Sequence, residues 1–429
     1  MKKVEGTSLL KRDTFVKDIL ITFSGQIFVL LSNFLINKLV SIFVGVDQFG
    51  IFNIAKRSAT LIGFVILLEL GISIPRYFSL YFKSNPKKAF EYYKLGCFLL
   101  ITMIVFVSII VILNQKMVAQ YIFGSINFTK YVLPWLIYSI GIAINTFIFS
   151  AYRGSERFYI YTIIQLLTQI INVLIIFIVK NSGIAMILLF WGISNIILSV
   201  LFMNIFILIN YEFKSVGVEG VFHKLKDLLI YGIPRIPGEI IQFSYYLIPL
   251  MVVNHKFGRL DTGYFSASTG IIQAFLPLFS YVGIVLLPKV SKSLMDGNLK
   301  LVKNQVKLLS YIYLAFALLV VVLGLVFTKD IIKVLYSSEY IRRIDVAKIL
   351  LITLIPRSQF LLLRNPIDAI SVKPINTLCL SISFIAMLAI MFFAHNIIMV
   401  AWSFVISDII LAMLSLLFWR FLVNKKIGR

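Results

Sequence analysis

Charged residues are scarce in this chain: only 14% of its 429 residues are Asp, Glu, Lys or Arg, against 60% hydrophobic, and the mean hydropathy is +0.97. A water-soluble globular domain carries about 25% charged residues, so a soluble enzyme is excluded. Histidine is scarcer still, with only His223, His255 and His395, each at a predicted helix end or in a loop. With no central histidine, a membrane acyltransferase or metal hydrolase is disfavoured, and no catalytic constellation is expected. The two cysteines, Cys97 and Cys379, both fall in apolar runs. They are too few for a disulfide framework and wrongly placed for zinc, so both read as packing residues. No Gly-rich phosphate loop ending in Lys-Ser/Thr occurs, which excludes ATP hydrolysis by that route. Neither cofactor nor metal is expected. Acidic residues are outnumbered, 18 against 41 Lys and Arg, for a net charge of +23. In a soluble protein that balance points to nucleic acid; here its meaning depends on where the charges sit.

Long apolar runs fill the space that charge leaves. A helix needs roughly 20 mainly apolar residues to cross a hydrocarbon layer. Runs of that kind fall at about 19–44, 58–82, 95–114, 131–152, 158–179 and 183–210, then at about 228–253, 264–288, 308–328, 346–363, 375–394 and 397–419. The predicted fold class is all-α: a polytopic membrane protein of about 12 transmembrane helices in two six-helix bundles, residues 1–213 and 214–429. The basic N-terminus (Lys2, Lys3, Lys11, Arg12, Lys17) resembles the start of a signal peptide. The run behind it continues for about 25 residues without a small-x-small cleavage site, so it reads as a retained first helix.

Lys and Arg accumulate in cytoplasmic loops. With both termini placed inside, the inner segments hold 25 of the 41 basic residues, the outer loops 12, and the helices Lys38, Arg76, Arg235 and Arg357. Arg153, Arg157, Arg364 and Lys373 flank the inner mouth, where orientation is their expected role. One outer segment, with Lys329, Lys333, Arg342, Arg343 and Lys348, runs against the trend. A multi-pass protein of a bacterial plasma membrane, both termini cytoplasmic, is predicted; its inner face should attract anionic lipid, and nucleic acid is not a partner.

The two sets of six repeat each other. Lys17-Asp18-Ile19-Leu20 opens the first helix and Lys226-Asp227-Leu228-Leu229 the seventh. Asp47-Gln48-Phe49-Gly50-Ile51-Phe52 is matched by Asp261-Thr262-Gly263-Tyr264-Phe265, and Pro75-Arg76 by Pro288-Lys289. Gly50 to Gly263 and Pro75 to Pro288 share one offset, 213 residues. Halves of six helices starting on the same side are parallel repeats, a plan of transporters that places the substrate between the halves.

Tyr231-Gly232-Ile233-Pro234, Gly263-Tyr264-Phe265 and Leu70-Gly71 followed by Pro75-Arg76 resemble the polysaccharide-exporter branch of the multidrug/oligosaccharidyl-lipid/polysaccharide (MOP) flippase superfamily, in particular the Wzx-type flippases for O-antigen and capsule repeat units. The resemblance spans essentially the whole chain through short motifs. It implies movement of an undecaprenyl-diphosphate-linked oligosaccharide between leaflets by alternating access, for surface polysaccharide (lipopolysaccharide O-antigen or capsule) assembly. The implied partners are that lipid-linked cargo, a polysaccharide polymerase and chain-length machinery, with the chain itself a monomer. Where the family often has an acidic–basic pair in mid helix seven, this chain has Pro249-Leu250, so no coupling role is carried over there. The lipid II flippases are similar but usually have two further C-terminal helices.

Buried charges supply the candidate site. An ionised group at bilayer depth costs about 2.5 to 3.5 kcal/mol on insertion scales, so each must face water, pair or snorkel. Arg76, Arg235 and Arg357 are candidate contacts for a diphosphate or acidic sugar, joined by Lys38 beside Asn33 and Asn37. Tyr245 and Tyr246 are candidate sugar-stacking residues. Glu69, Glu239 and Asp408 are candidates for ion coupling or tuning. Each has a plainer reading: an internal Arg235–Glu239 pair at i,i+4, snorkelling of Arg76 and Lys38, and a packing role for Asp408 near Ser403 and Ser407. The alternatives to a flippase are a cation-coupled multidrug or metabolite exporter of the same superfamily and, further off, a membrane polysaccharide polymerase. A polymerase generally needs a large outer loop, and the longest here is about 17 residues.

Overall fold

In the computed structural model the backbone is described for residues 3–210, 220–295, 299–371 and 373–427, and side chains for 21–210, 220–279, 302–371 and 373–426. The described residues are helical and contain no strand. The expected border at 213/214, the basic residues 2–17 and the Pro288-Lys289 pair lie outside the residues whose side chains are described.

The helices, in chain order, are α1 (Lys3–Leu67), α2 (Leu70–Phe82), α3 (Pro86–Leu113), α4 (Gln115–Phe123), α5 (Thr129–Gly154), α6 (Phe158–Val179), α7 (Gly183–Ile209) and α8 (Val221–Gly232). They continue as α9 (Ile236–Phe257), α10 (Arg259–Met295), α11 (Leu299–Val326), α12 (Thr328–Leu335), α13 (Ile344–Ile352), α14 (Leu354–Ile370), α15 (Ile375–Phe392) and α16 (Ile397–Ile427).

Among the described residues ten helical stretches are long and apolar enough to cross a membrane. The first, Ile21–Leu67, has 47 residues, roughly 70 Å at 1.5 Å per residue, which is two crossings. It is broken at Gly45, whose φ of 75° and ψ of 175° no helix accommodates. A glycine is required there because that backbone would strain any Cβ. Counting both arms of α1 and the 37-residue α10, the expected twelve spans all fall on helical stretches, of which the second, seventh and tenth cross a break between successive helices.

One expected connection does not exist as a loop. Residues 45–57 read as the first outer loop, but beyond Gly45 the chain is helical through Leu67. Lys56 and Arg57 therefore lie on the second arm of α1 rather than in a loop. Asp47, Gln48, Asn53, Lys56 and Arg57 within an apolar sequence look like a loop, whereas a helix carries them equally well.

Other boundaries follow simple chemistry. The Asn85 side chain accepts from the Lys88 amide (3.1 Å) and caps α3, with Pro86 at its first position. Gly124, left-handed at φ 85°, ends α4.

The chain divides into two compact units, residues 1–44 with 54–240, and residues 45–53 with 241–429. In the first, α5 packs on α7 through small residues. A Cβ on Gly192 would lie 2.7 Å from Ile137 C and Tyr138 N, and one on Gly141 would lie 2.8 Å from Gly192 O. Backbones this close are how membrane helices gain dispersion energy where lipid supplies no hydrophobic drive. Polar contacts add to it: Trp135 Nε1 donates to Ser58 Oγ (2.9 Å), Trp191 Nε1 to Asn172 O (2.9 Å) and Asn145 Nδ2 to Ser199 Oγ (3.2 Å).

In the second unit α10, α14 and α16 form the centre, with buried clusters around Leu363, Ile367 and Trp419 and around Phe360, Cys379 and Leu411. A Cβ on Gly50 would lie 2.7 Å from the Gly263 amide nitrogen. The two repeat-equivalent glycines touch. Outward residues such as Phe98, Ile101, Val105 and Leu319 are exposed, the surface of a protein solvated by lipid.

Candidate functional site

The first unit holds a basic site where the seventh span is interrupted. Pro234 and Pro237 lack amide donors, and between α8 and α9 the chain makes a 3₁₀ turn over Ile233–Arg235. Arg235 lies at that turn, exposed, with its guanidinium 3.9 Å from the Tyr231 ring centroid and Nη1 donating to Tyr231 O. Arg76, on α2 just past Pro75, is also exposed and lies 4.3 Å from the same ring. Two arginines thus clasp one tyrosine. Arg235 ends the 3₁₀ turn and folds back on Tyr231, and Glu239 lies in the first turn of α9.

An aromatic ladder continues from this clasp. Tyr77 meets Tyr231 edge to face (6.1 Å), stacks on Tyr92 (4.8 Å), and Tyr92 stacks on Tyr81 (5.8 Å), which carries Lys88 4.0 Å over its ring. The Tyr92 hydroxyl donates to Asp227 Oδ2 at 2.6 Å. A buried ion pair joins Lys224 to Glu91 beside it. Tyr81, Lys88, Tyr92, His223, Lys224 and Asp227 line a cavity of about 320 Å³. These contacts bind α8 to α2 and α3.

Glu69 lies one to two turns above Arg76 at a second interruption. Leu68 and Glu69 both take left-handed backbone (φ 49° and 58°) and separate α1 from α2. Such conformations cost on the order of 1–3 kcal/mol each for residues with a Cβ. The Glu69 side chain is fully buried, neither carboxylate oxygen has a hydrogen-bond partner, and Glu239 and Arg235 lie within electrostatic reach. A Cβ on Gly232 would stand 2.8 Å from Leu68 O, so the end of α8 packs directly on the break. Arg153, placed at the inner mouth by sequence, donates to Gly71 O at 2.9 Å.

Lys56 is the residue that sequence reasoning missed. Its ammonium donates to Asn33 Oδ1 at 3.1 Å, joining the two arms of α1. Its spacing of 11 residues from Gly45, against 12 for Asn33, is the signal that pairs them across a hairpin. Lys38, one residue beyond Asn37, is half-buried on the first arm.

The second unit gathers four of the predicted residues into one buried network. Arg357 Nη1 donates to Asp408 Oδ1 (2.9 Å), and the Tyr245 hydroxyl donates to the same oxygen (2.7 Å) and lies 2.6 Å from Ser407 Oγ. The guanidinium is 4.6 Å from the Tyr245 ring and 5.8 Å from that of Tyr246. Arg357, Tyr245 and Asp408 are all buried. Arg357 and Asp408, assigned by sequence to separate roles, are each other's counter-charge. Among the described residues no His, Cys, Asp and Glu cluster could hold a metal ion.

No protein-family model and no curated protein sequence matches the chain. Solved structures do match in fold. A multidrug resistance MATE family transporter of the MOP superfamily in an inward-facing conformation superposes with a TM-score of 0.78 at 13% identity, over 95% of this chain and 99% of that one. Its outward-facing counterpart gives 0.60 at 12% identity, over 96% and 94%. A MOP superfamily transporter from Pyrococcus furiosus, reported with a binding pocket of reversed polarity that suggests a different function, gives 0.66 at 14% identity, over 95% and 94%. The fold is that of these twelve-helix proteins.

Proposed function

We propose that the protein is a membrane transporter that moves an amphiphilic cargo out of the cell by alternating access. The observation that carries this is the end-to-end likeness of fold to MATE transporters, at a TM-score of 0.78 over nearly all of both chains. That likeness favours an ion-coupled exporter of drugs or metabolites, since the matching structure is a multidrug resistance transporter. A second reading, the undecaprenyl-diphosphate-linked oligosaccharide flippase, is favoured by the clasp of Arg76 and Arg235 on Tyr231. Two guanidinium groups over one tyrosine suit a diphosphate or acidic sugar, because arginine presents a planar fork to such anions. Organic cations would meet repulsion there. On either reading the protein lies in the bacterial plasma membrane with its basic loops inside.

Reconstituted protein separates the two. With fluorescent lipid-linked oligosaccharide on the inner leaflet, a flippase delivers it to the outer leaflet without lengthening it, and Arg76→Ala with Arg235→Ala should lower the rate at least about tenfold, the equivalent of about 1.4 kcal/mol. A lengthened glycan would reveal a polymerase. Gradient-driven dye efflux without lipid transfer would select the exporter, and activity in neither assay would end the transporter reading.

A further inference from the structure

The cavity between α2, α3 and α8 carries both signs of charge on its wall. The Lys224 charge is met by Glu91. Lys88 instead rests its ammonium 4.0 Å over the Tyr81 ring, a neutral face that engages the charge without using up its three N–H donors. His223 lines the same wall, with Nε2 3.9 Å from Asp227 Oδ1. Asp227 accepts from the Tyr92 hydroxyl through Oδ2. A carboxylate offers about four acceptor positions, so Oδ1 can take a further donor. A ligand matched to this wall has an anionic group for Lys88 and a hydrogen-bonding cation for Asp227.

We infer that this cavity is a binding site for a phospholipid headgroup that joins a phosphate to a primary ammonium, as phosphoethanolamine does. The phosphate would lie at Lys88, where charge-assisted N–H···O bonds form, and the ammonium at Asp227. A volume of about 320 Å³ is at the small end for a ligand pocket, the size of a headgroup rather than of a larger solute. The acyl chains are argued from the same elements. Leu80 on α2 and Phe222 and Ile230 on α8 are exposed, whereas Leu228 and Gly232 of α8 are buried. Lys226, between Phe222 and Ile230, has a stem long enough to snorkel. A helix with apolar residues outward and charge at the cavity belongs at the boundary of hydrocarbon and headgroups, the depth at which a phospholipid presents its phosphate. A soluble phosphate ester would have no use for that apolar surface.

The site stands at one end of the aromatic ladder and the arginine clasp at the other. Tyr92 forms part of the cavity wall and stacks on Tyr77, and Tyr77 meets Tyr231, the ring under Arg76 and Arg235. A headgroup bridging Lys88 and Asp227 would tie α3 to α8 and brace the helix that presents Tyr231. The lipid composition of the membrane would then bear on the clasp. Binding at this cavity goes beyond the transporter reading above and does not depend on it.

The test uses full-length protein in a phosphate-free detergent, with the unfolding temperature followed as lipid is titrated in. Phosphatidylethanolamine should stabilise wild type at concentrations where diacylglycerol does not, and where phosphatidylcholine, whose quaternary ammonium has no N–H donor, does not. Lys88→Gln should weaken the apparent affinity for phosphatidylethanolamine by about tenfold or more. Asp227→Asn, which still accepts from Tyr92, should reduce the effect of phosphatidylethanolamine to that of phosphatidylcholine. Lys83→Gln, at an exposed site paired with Glu156, should respond as wild type does, and so should Arg76→Ala with Arg235→Ala. If Asp227→Asn does not fold, the partly exposed Lys88→Gln decides. Equal stabilisation of wild type by the two phospholipids, an unchanged response in Lys88→Gln, or a response lost only in the arginine double variant would overturn the inference. An equal shift from free phosphoethanolamine would overturn it too, by giving the cavity to a soluble ligand. A lipid response lost in Lys88→Gln, found beside a wild type inactive in both transport assays, would reject the transporter reading alone.

Discussion

Arg357 and Asp408 stand 51 positions apart on α14 and α16, and each makes the other tolerable. Burial removes water from both charges, and removing one partner of such a pair leaves the other uncompensated, at a cost of about 3–5 kcal/mol. Arg357→Ala should therefore depress thermal unfolding in detergent by that order, while Arg357→Met combined with Asp408→Asn should recover most of the loss. A single substitution as mild as the double one would show that the pair is not closed. Sequence found both residues, because ionisable side chains stand out in apolar helices. It did not pair them, because proximity between helices has no trace in spacing along one. Glu69 differs in kind: it also stands out in sequence, but that both its oxygens lack donors depends on how α8 covers the break.

At the scale of elements, the residues that matter most are those with least side chain. Gly141 and Gly192 let α5 and α7 approach until backbone meets backbone. Gly192→Leu would drive side-chain atoms into Ile137 and Tyr138, whose main chain has no room to give, and overpacking of this kind costs roughly 1–3 kcal/mol or more. The expected result is a clear fall in folded yield and in unfolding temperature, measured by fluorescence-detected chromatography. The α8–α9 interruption shows where local rules failed. Pro234 and Pro237 flank a 3₁₀ step, and the Arg235 guanidinium lies over Tyr231, a contact that four-residue spacing does not indicate. The same prolines were legible as helix breakers; the direction in which the freed arginine turned was not. Residues 45–57 failed in the opposite sense, a polar stretch mistaken for a loop that is held helical as the second arm of α1.

For the whole molecule, topology offers the broadest check. The distribution of Lys and Arg predicts both termini on the cytoplasmic side, so reporters fused at either end should be active only there; periplasmic activity at the C-terminus would imply an odd number of crossings. Gly50 and Gly263, 213 residues apart in sequence, are in contact. The sequence by itself determined that this is a membrane protein, roughly where its twelve helices lie, and which few charges they carry. Those properties follow from transfer of each segment into hydrocarbon, a sum over local residues. Only the tertiary structure decided that Arg76 and Arg235 share Tyr231, that Lys56 bonds to Asn33 across α1, that Arg357 and Asp408 neutralise each other, and that Glu69 is left without a donor. The physical reason is that desolvation and counter-charge are properties of what surrounds a group, and the surroundings come from helices distant in sequence.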